Sequence, residues 1–107
     1  MSKIGVWEAA EPGVKRKFLA VGAGLMMMEV HFEAGAAGKV HSHPHEQMSY
    51  CMQGSFDFTI DGQVHLLKAG EAIAIPGGAL HGVLAREQSI LLDAFTPIRE
   101  DLLQPNQ

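Results

Sequence analysis

The chain has 107 residues, of which 47% are hydrophobic, with 12 glycines and 5 prolines, a size and composition typical of a compact, turn-rich globular protein. Its formal net charge of −4 argues against nucleic acid as a partner, because phosphate binding needs a basic face. A single cysteine excludes an intrachain disulfide, and no apolar run approaches the ~20 residues of a membrane helix. Since the N-terminus also lacks a secretory signal pattern, we predict a cytoplasmic protein that does not bind membranes.

Short β-type runs separated by turn signals follow one another along most of the chain, which favours a sandwich or barrel over alternating strands and helices. Asp61-Gly62 lies between two of these runs and is a strong hairpin signal, because both residues tolerate positive φ. The predicted strands are Lys15–Val21, Leu25–Glu33, Lys39–His43, Gln47–Met52, Ser55–Ile60, Gln63–Leu67, Ala72–Ile75, Leu80–Ala85 and Ser89–Phe95.

The end of the chain is the segment with a helical pattern. Thr96 can act as an N-cap, and Pro97 suits the first helical position. We therefore predict a short C-terminal helix of one or two turns over Ile98–Leu103.

Strict alternation in the Gln47–Met52 strand predicts one inward face and one outward face. The inward residues are Gln47, Ser49 and Cys51. The outward residues are the large apolar Met48, Tyr50 and Met52, to which we add Met26 and Met28. An apolar stripe of this kind needs a cover, either a second sheet or a partner subunit, and we predict a homodimer.

Two histidines, His41 and His43, stand two residues apart, Gln47 follows, and His81 stands behind a Pro-x-Gly turn. Residues two apart on a strand point the same way, so the first two imidazoles can face one point. Three imidazoles and one amide oxygen from different strands suit a divalent transition metal. We predict one such ion, Ni²⁺, Zn²⁺, Fe²⁺ or Mn²⁺, bound by His41, His43, Gln47 and His81. His45 can replace His43, contact the substrate, or be an exposed loop residue.

The last strand carries a second group of interest. Asp93 and Phe95 share a face between apolar neighbours, and a carboxylate facing a barrel interior indicates either a salt bridge or proton transfer. Arg99 can reach back toward it. A structural Asp93–Arg99 pair that pins the tail and a catalytic Asp93 are therefore both open from these residues alone.

The spacing resembles the cupin family pattern G-x5-H-x-H-x3-E-x6-G followed by G-x5-P-x-G-x2-H-x3-N. The matching residues are Gly35, His41, His43, Gln47 and Gly54, then Gly70, Pro76, Gly78 and His81. The resemblance implies an all-β double-stranded β-helix, a cupin jelly-roll barrel with a metal in its mouth. Residues 1–107 are then a single cupin domain, with a barrel core over about 25–95 and a tail over 96–107.

Two positions depart from that pattern. Gln47 stands where the family usually has Glu, and Ala85 stands where it usually has Asn. Four neutral ligands would leave the full +2 charge of the ion uncompensated. Such a centre attracts an anionic substrate and acts as a strong Lewis acid.

The segments HSHPHEQ, GGALHG and DAFTPIRED are together similar to the KdgF group of small cupins, which is associated with pectin and alginate degradation. This resemblance implies an enzyme that converts cyclic 4,5-unsaturated monouronates, the small-molecule products of lyases, into linear keto acids. The implied enzyme opens the ring and tautomerises the product, as an isomerase or a lyase-type enzyme with a non-redox metal. Asp93 and Arg99 would be catalytic, Phe95 and Arg99 would bind the substrate, and Asp93 would move the proton. The alternatives are another metal-dependent cupin enzyme, a dioxygenase or sugar isomerase, and a non-catalytic sugar-acid-binding cupin.

Overall fold

The computed structural model describes residues 3–104, and in this range ten strands form two antiparallel sheets around one core. The strands are β1 (Trp7–Glu11), β2 (Val14–Val21), β3 (Met26–Phe32), β4 (Ala37–His41), β5 (Glu46–Gln53), β6 (Ser55–Ile60), β7 (Gln63–Lys68), β8 (Ala72–Ile75), β9 (His81–Ala85) and β10 (Ser89–Thr96). One sheet has the order β1-β2-β3-β10-β5-β8 and the other β4-β9-β6-β7. The all-β, jelly-roll prediction is confirmed.

The predicted strands correspond to β2–β10, with ends that differ by up to two residues. Strand β1 was not predicted, because Ala and Glu have low β propensity and fill most of Trp7–Glu11. It is an edge strand that pairs only with β2 in the described sheet. Both strands precede the 25–95 range predicted for the barrel core, and β2 contributes the fully buried Phe18.

Alternation places the core on the inner faces of both sheets. The largest fully buried side chains include Phe18, Phe56, Phe58 and Phe95, each of which stabilises the fold by roughly 1.5–3 kcal/mol through burial. Met26 and Met28, at 1% and 6% exposure, also lie in this core. Their predicted place on the outward stripe is wrong, because on β3 it is Met27 and its alternate neighbours that face away from the core.

The outward stripe of β5 is confirmed. Met48, Tyr50 and Met52 are 55%, 42% and 47% exposed, whereas Gln47, Ser49 and Cys51 are buried. Strand β5 pairs with β10 on one side and with β8 on the other. Hydrogen bonds to both neighbours therefore hold its inner and outer faces in place.

Strand β4 ends at His41, so His43 lies in the loop before β5 and not on a strand as predicted. This loop carries the chain from the four-stranded to the six-stranded sheet. Pro44 has no N–H to donate to a strand ladder, which favours the break at this point. The expectation that His41 and His43 point the same way on one strand therefore does not apply. Contacts of the loop must orient His43.

The Asp61-Gly62 hairpin is confirmed, with φ of 48° and 80°. The C-terminal helix, α1 (Glu100–Leu103), begins two residues later than predicted. Thr96 does not cap it, because the N-cap position is Arg99. The Thr96 hydroxyl donates to the Gly24 carbonyl at 2.7 Å. Between residues 3 and 104 there is no helix with the length and apolar character needed to cross a membrane.

Candidate metal centre and its cavity

Two of the three predicted histidine ligands are register partners across β4 and β9, His41 and His81. In each, Nδ1 donates to the carbonyl two residues earlier, at 2.7 Å to Lys39 and 3.0 Å to Ala79. An imidazole whose Nδ1 donates has its lone pair on Nε2. The His81 Nε2 is buried and has no hydrogen-bond partner among the described residues, as expected of an atom that serves as a metal ligand.

His43 is held from the loop by the turn that precedes β9. The Gly78 N–H donates to the His43 carbonyl at 2.8 Å. At Gly77, a Cβ atom would stand 2.3 Å from the Pro44 carbonyl oxygen, so only glycine lets the turn approach the loop this closely. The His43 Nδ1 donates to the His45 carbonyl at 3.1 Å. In the sequence, Pro76-Gly77-Gly78 is the pattern that indicates this turn.

The ligating nitrogens of His41, His43 and His81 lie within 4.8 Å of one another, a group that can hold a metal ion. Gln47 is close to it, with Oε1 3.1 Å from the His43 Nε2. Since the His43 Nδ1 donates to a carbonyl, Nε2 and Oε1 turn lone pairs toward each other. A cation satisfies both atoms, so these residues fit the ion that the family pattern implies. His45 lies outside this group.

Burial favours the neutral imidazoles of His43 and His81. It is the largest cause of the lowered pKa of both His43 and His81. The positive charge of Arg99 lowers the pKa of each further. Neutral imidazoles keep the lone pair that a metal needs. His41 and His81 come from one sheet and Gln47 from the other, so the centre lies between the two layers.

Asp93 is buried beside the centre and joined to it by hydrogen bonds. The Gln47 Nε2 donates to the Ser49 Oγ at 3.0 Å, and this hydroxyl donates to the Asp93 Oδ1 at 2.6 Å. Burial raises the pKa of Asp93 to about 6, against the opposing effects of Ser49, Gln47 and Arg99. A carboxyl that titrates near neutral pH is suited to proton transfer. The contribution of Ser49 was not predicted.

Arg99 forms its ion pair with Asp101 and not with Asp93, which corrects the structural alternative. Its Nε and Nη2 donate to the two Asp101 carboxylate oxygens at 3.0 and 2.8 Å. The guanidinium lies 5.1 Å from the Phe95 ring centre, and Arg99 is buried whereas Asp101 is exposed. Arg99 holds the pKa of Asp101 below its usual value. Sequence patterns did not indicate this role for Asp101.

A cavity of about 320 Å³ brings these groups together. The predicted site residues that line it are His41, Gln47, His81, Asp93, Phe95 and Arg99. Its wall also contains the charged residues Arg16, Lys39 and Glu11. A larger cleft of about 1000 Å³ beside β1 is lined by none of the predicted site residues.

Comparisons with known proteins agree with this geometry. Residues 28–95 match the cupin domain family. The chain is 41% identical to the pectin degradation protein KdgF of Dickeya dadantii (strain 3937), over 91% of this chain and 90% of that protein. The structure of KdgF from Halomonas sp. superposes with a TM-score of 0.86 at 38% identity, covering 90% of this chain and 89% of that one. An RmlC-like cupin from Shewanella frigidimarina gives the same score and identity, covering 90% and 86%.

Proposed function

This chain belongs to the cupin family and, within it, to the KdgF group, and from that membership we propose that it converts cyclic 4,5-unsaturated monouronates into linear keto acids. The observation that carries the proposal is that His41, His81 and the buried Asp93 and Arg99 line one cavity. A ring nitrogen of His43 lies within 4.8 Å of those of His41 and His81. About 320 Å³ is near the lower limit of small-molecule sites, which favours a monosaccharide over an oligosaccharide. We propose that this monosaccharide derives from pectin or alginate.

We propose that one divalent ion is held by His41, His43, Gln47 and His81. Histidine-rich sites accept Ni²⁺, Zn²⁺, Fe²⁺ or Mn²⁺. When bound, the ion supplies Lewis-acid stabilisation of negative charge on a reacting oxygen, with no redox change. Because none of the four side chains is an anion, none of them cancels the charge of the ion.

The substrate chemistry requires one proton to move. In the cyclic form the ring oxygen is bonded to C5 of a C4=C5 double bond that carries the carboxylate. Loss of the C1 hydroxyl proton forms the C1 carbonyl and breaks the bond between C1 and the ring oxygen. The ring oxygen leaves as an enolate, which takes a proton at C4 to give the 5-keto acid. No atom is gained or lost. We propose Asp93 as the group that removes or delivers this proton, since its pKa of about 6 permits both.

The remaining cavity residues bind and orient the sugar. Arg99 has five N–H donors, of which Asp101 uses two, and a guanidinium fork matches a carboxylate. We assign it to the substrate carboxylate. Phe95 lies beneath this guanidinium and offers an apolar surface to one face of the ring. The apolar wall formed by Met28, Val30 and Leu91 limits the water around the enolate.

Proton NMR of an unsaturated monouronate tests the proposal directly. Purified protein should speed the loss of the C4 alkene proton and the appearance of the keto acid, and a chelator should abolish this. Binding without turnover would instead support the sugar-acid-binding alternative. Consumption of dioxygen by the iron-loaded protein would support a dioxygenase, and a requirement for a phosphorylated sugar would support a sugar isomerase.

We further propose that residues 1–107 act as one cupin domain and that two copies pair through the exposed face of β5. Met48, Tyr50 and Met52 form an apolar stripe, and the outward Leu92 and Ala94 lie next to it on β10. A self-complementary apolar face favours a two-fold dimer. Analytical ultracentrifugation tests this, since Tyr50→Lys should yield monomers. We also propose a cytoplasmic location, which is consistent with a single buried free thiol, Cys51.

A further inference from the structure

Ser49 stands between the metal centre and the buried acid and is itself fully buried. It faces Asp93 across β5 and β10, and Ile73 across β5 and β8. Its hydroxyl is 3.0 Å from the Gln47 Nε2 and 2.6 Å from the Asp93 Oδ1. It is therefore a direct contact of one predicted ligand and of the proposed proton-transfer group.

The direction of these hydrogen bonds fixes the orientation of the Gln47 amide. The Ser49 hydroxyl donates to the Asp93 Oδ1, so its single hydrogen is not available to Gln47. The oxygen of this hydroxyl then accepts from Gln47, which must present its NH₂ group. The amide oxygen is thereby turned to the opposite side, where it lies 3.1 Å from the His43 Nε2.

A glutamine ligand needs this help and a glutamate does not. The two oxygens of a carboxylate are equivalent, so either one can reach a metal. An amide that turns over presents N–H groups, which cannot coordinate and which repel a cation. A glutamine at position 47 therefore ligates only if a neighbour selects one of its two orientations.

We propose that Ser49 is the positioning residue that selects the ligating orientation of Gln47 and couples the metal centre to Asp93. The proposal rests on the metal centre of the proposed function but not on the uronate reaction. Without the hydroxyl, the Gln47 amide can turn over or move toward Asp93. Both movements take Oε1 away from the imidazoles, so Ser49 acts on the metal through Gln47.

Metal titration of two matched variants tests this role. Loss of a partner that orients a ligand typically lowers metal affinity by about 10- to 100-fold, and we expect this range for Ser49→Ala with Ni²⁺ or Co²⁺ alone, measured by calorimetry. The control is Ser89→Ala. Ser89 is equally buried, but its hydroxyl contacts Ser55 and the Glu87 carbonyl, outside the cavity. The metal affinity of Ser89→Ala should equal that of the wild type.

A double variant separates orientation from general damage. If Ser49 acts through Gln47, Gln47→Ala combined with Ser49→Ala should bind Co²⁺ no more weakly than Gln47→Ala alone. The visible cobalt spectrum of Ser49→Ala should also resemble that of Gln47→Ala, and Ser49→Thr, which keeps the hydroxyl, should restore much of the affinity. Thermal unfolding of the chelated proteins checks that each variant folds.

Three results would overturn the proposal. They are wild-type affinity in Ser49→Ala, equal losses in Ser49→Ala and Ser89→Ala, and fully additive losses in the double variant. Absence of metal binding by the wild type would overturn it together with the metal centre. No titration involves a sugar, so failure of the uronate assay leaves this inference standing, and wild-type affinity in Ser49→Ala leaves the uronate reaction standing.

Discussion

The three imidazoles of the site are oriented by backbone carbonyls, whereas Gln47, Asp93 and Arg99 are oriented by other side chains. Each histidine Nδ1 donates to a main-chain oxygen, in β4, in the loop between β4 and β5 or in the turn before β9. On the other side, Ser49 connects Gln47 to Asp93, and Asp101 holds Arg99. The imidazole half therefore depends on the path of the chain, and the acid half depends on single side chains. Substitutions should separate the two halves.

The largest effect is expected for His81→Ala. This removes a ligand from the buried side of the group, so the purified protein should lose its metal and all metal-dependent activity. Elemental analysis of protein prepared in metal-replete buffer measures the loss. His45→Ala is the control, because His45 lies outside the histidine group. The variant keeps the backbone carbonyl that accepts from His43 and loses only a ring contact with it at 5.4 Å. Equal metal in His81→Ala and the wild type would show that the ligand set is wrong.

Asp93→Asn should break the acid half and leave the imidazole half intact. The amide keeps the shape of the side chain but cannot exchange a proton, so activity should fall by about 10²- to 10⁴-fold while the metal content stays at the wild-type level. The reaction rate is measured as the loss of absorbance of the conjugated alkene in the substrate. Full activity in this variant would exclude Asp93 as the proton shuttle.

Gly77→Ala should disturb the imidazole half without touching a ligand. The new Cβ would lie 2.3 Å from the Pro44 carbonyl oxygen, so the loop that carries His43 must move. A displacement of about 1 Å near reacting groups can lower activity by about 10²-fold. The matched control is Gly24→Ala, because a Cβ at Gly24 meets nothing within 4 Å. If both variants keep full activity and metal, the turn does not orient His43.

Asp101→Ala should give the smallest effect. Asp101 is exposed on its side of the ion pair, and such pairs contribute at most about 1 kcal/mol, which corresponds to roughly a fivefold rise in KM. The value of kcat should change little, since Arg99 remains buried beside Phe95. Glu100→Ala, which removes the neighbouring exposed acid of the same helix, is the control. An unchanged KM in Asp101→Ala would show that Arg99 keeps its position without this partner.

Local rules were enough to predict most strands and the two faces of β5, because alternation depends only on neighbours in the chain. They also placed Asp93 and Phe95 on one face of β10. They did not locate His43 correctly, since its position comes from the contact of the Pro44 loop with Gly77, which are far apart in sequence. The Ser49 bridge has the same cause: residues 49 and 93 meet only through strand pairing.

The position of the histidine group between the sheets has a consequence for the stability of the barrel. His41 and His81 belong to the four-stranded sheet and Gln47 to the six-stranded sheet. An ion bound by all three would therefore link the two sheets. Ligands that bind only the folded state stabilise it in proportion to the logarithm of their concentration. The free energy of unfolding should therefore rise with the concentration of free metal and fall when a chelator is added.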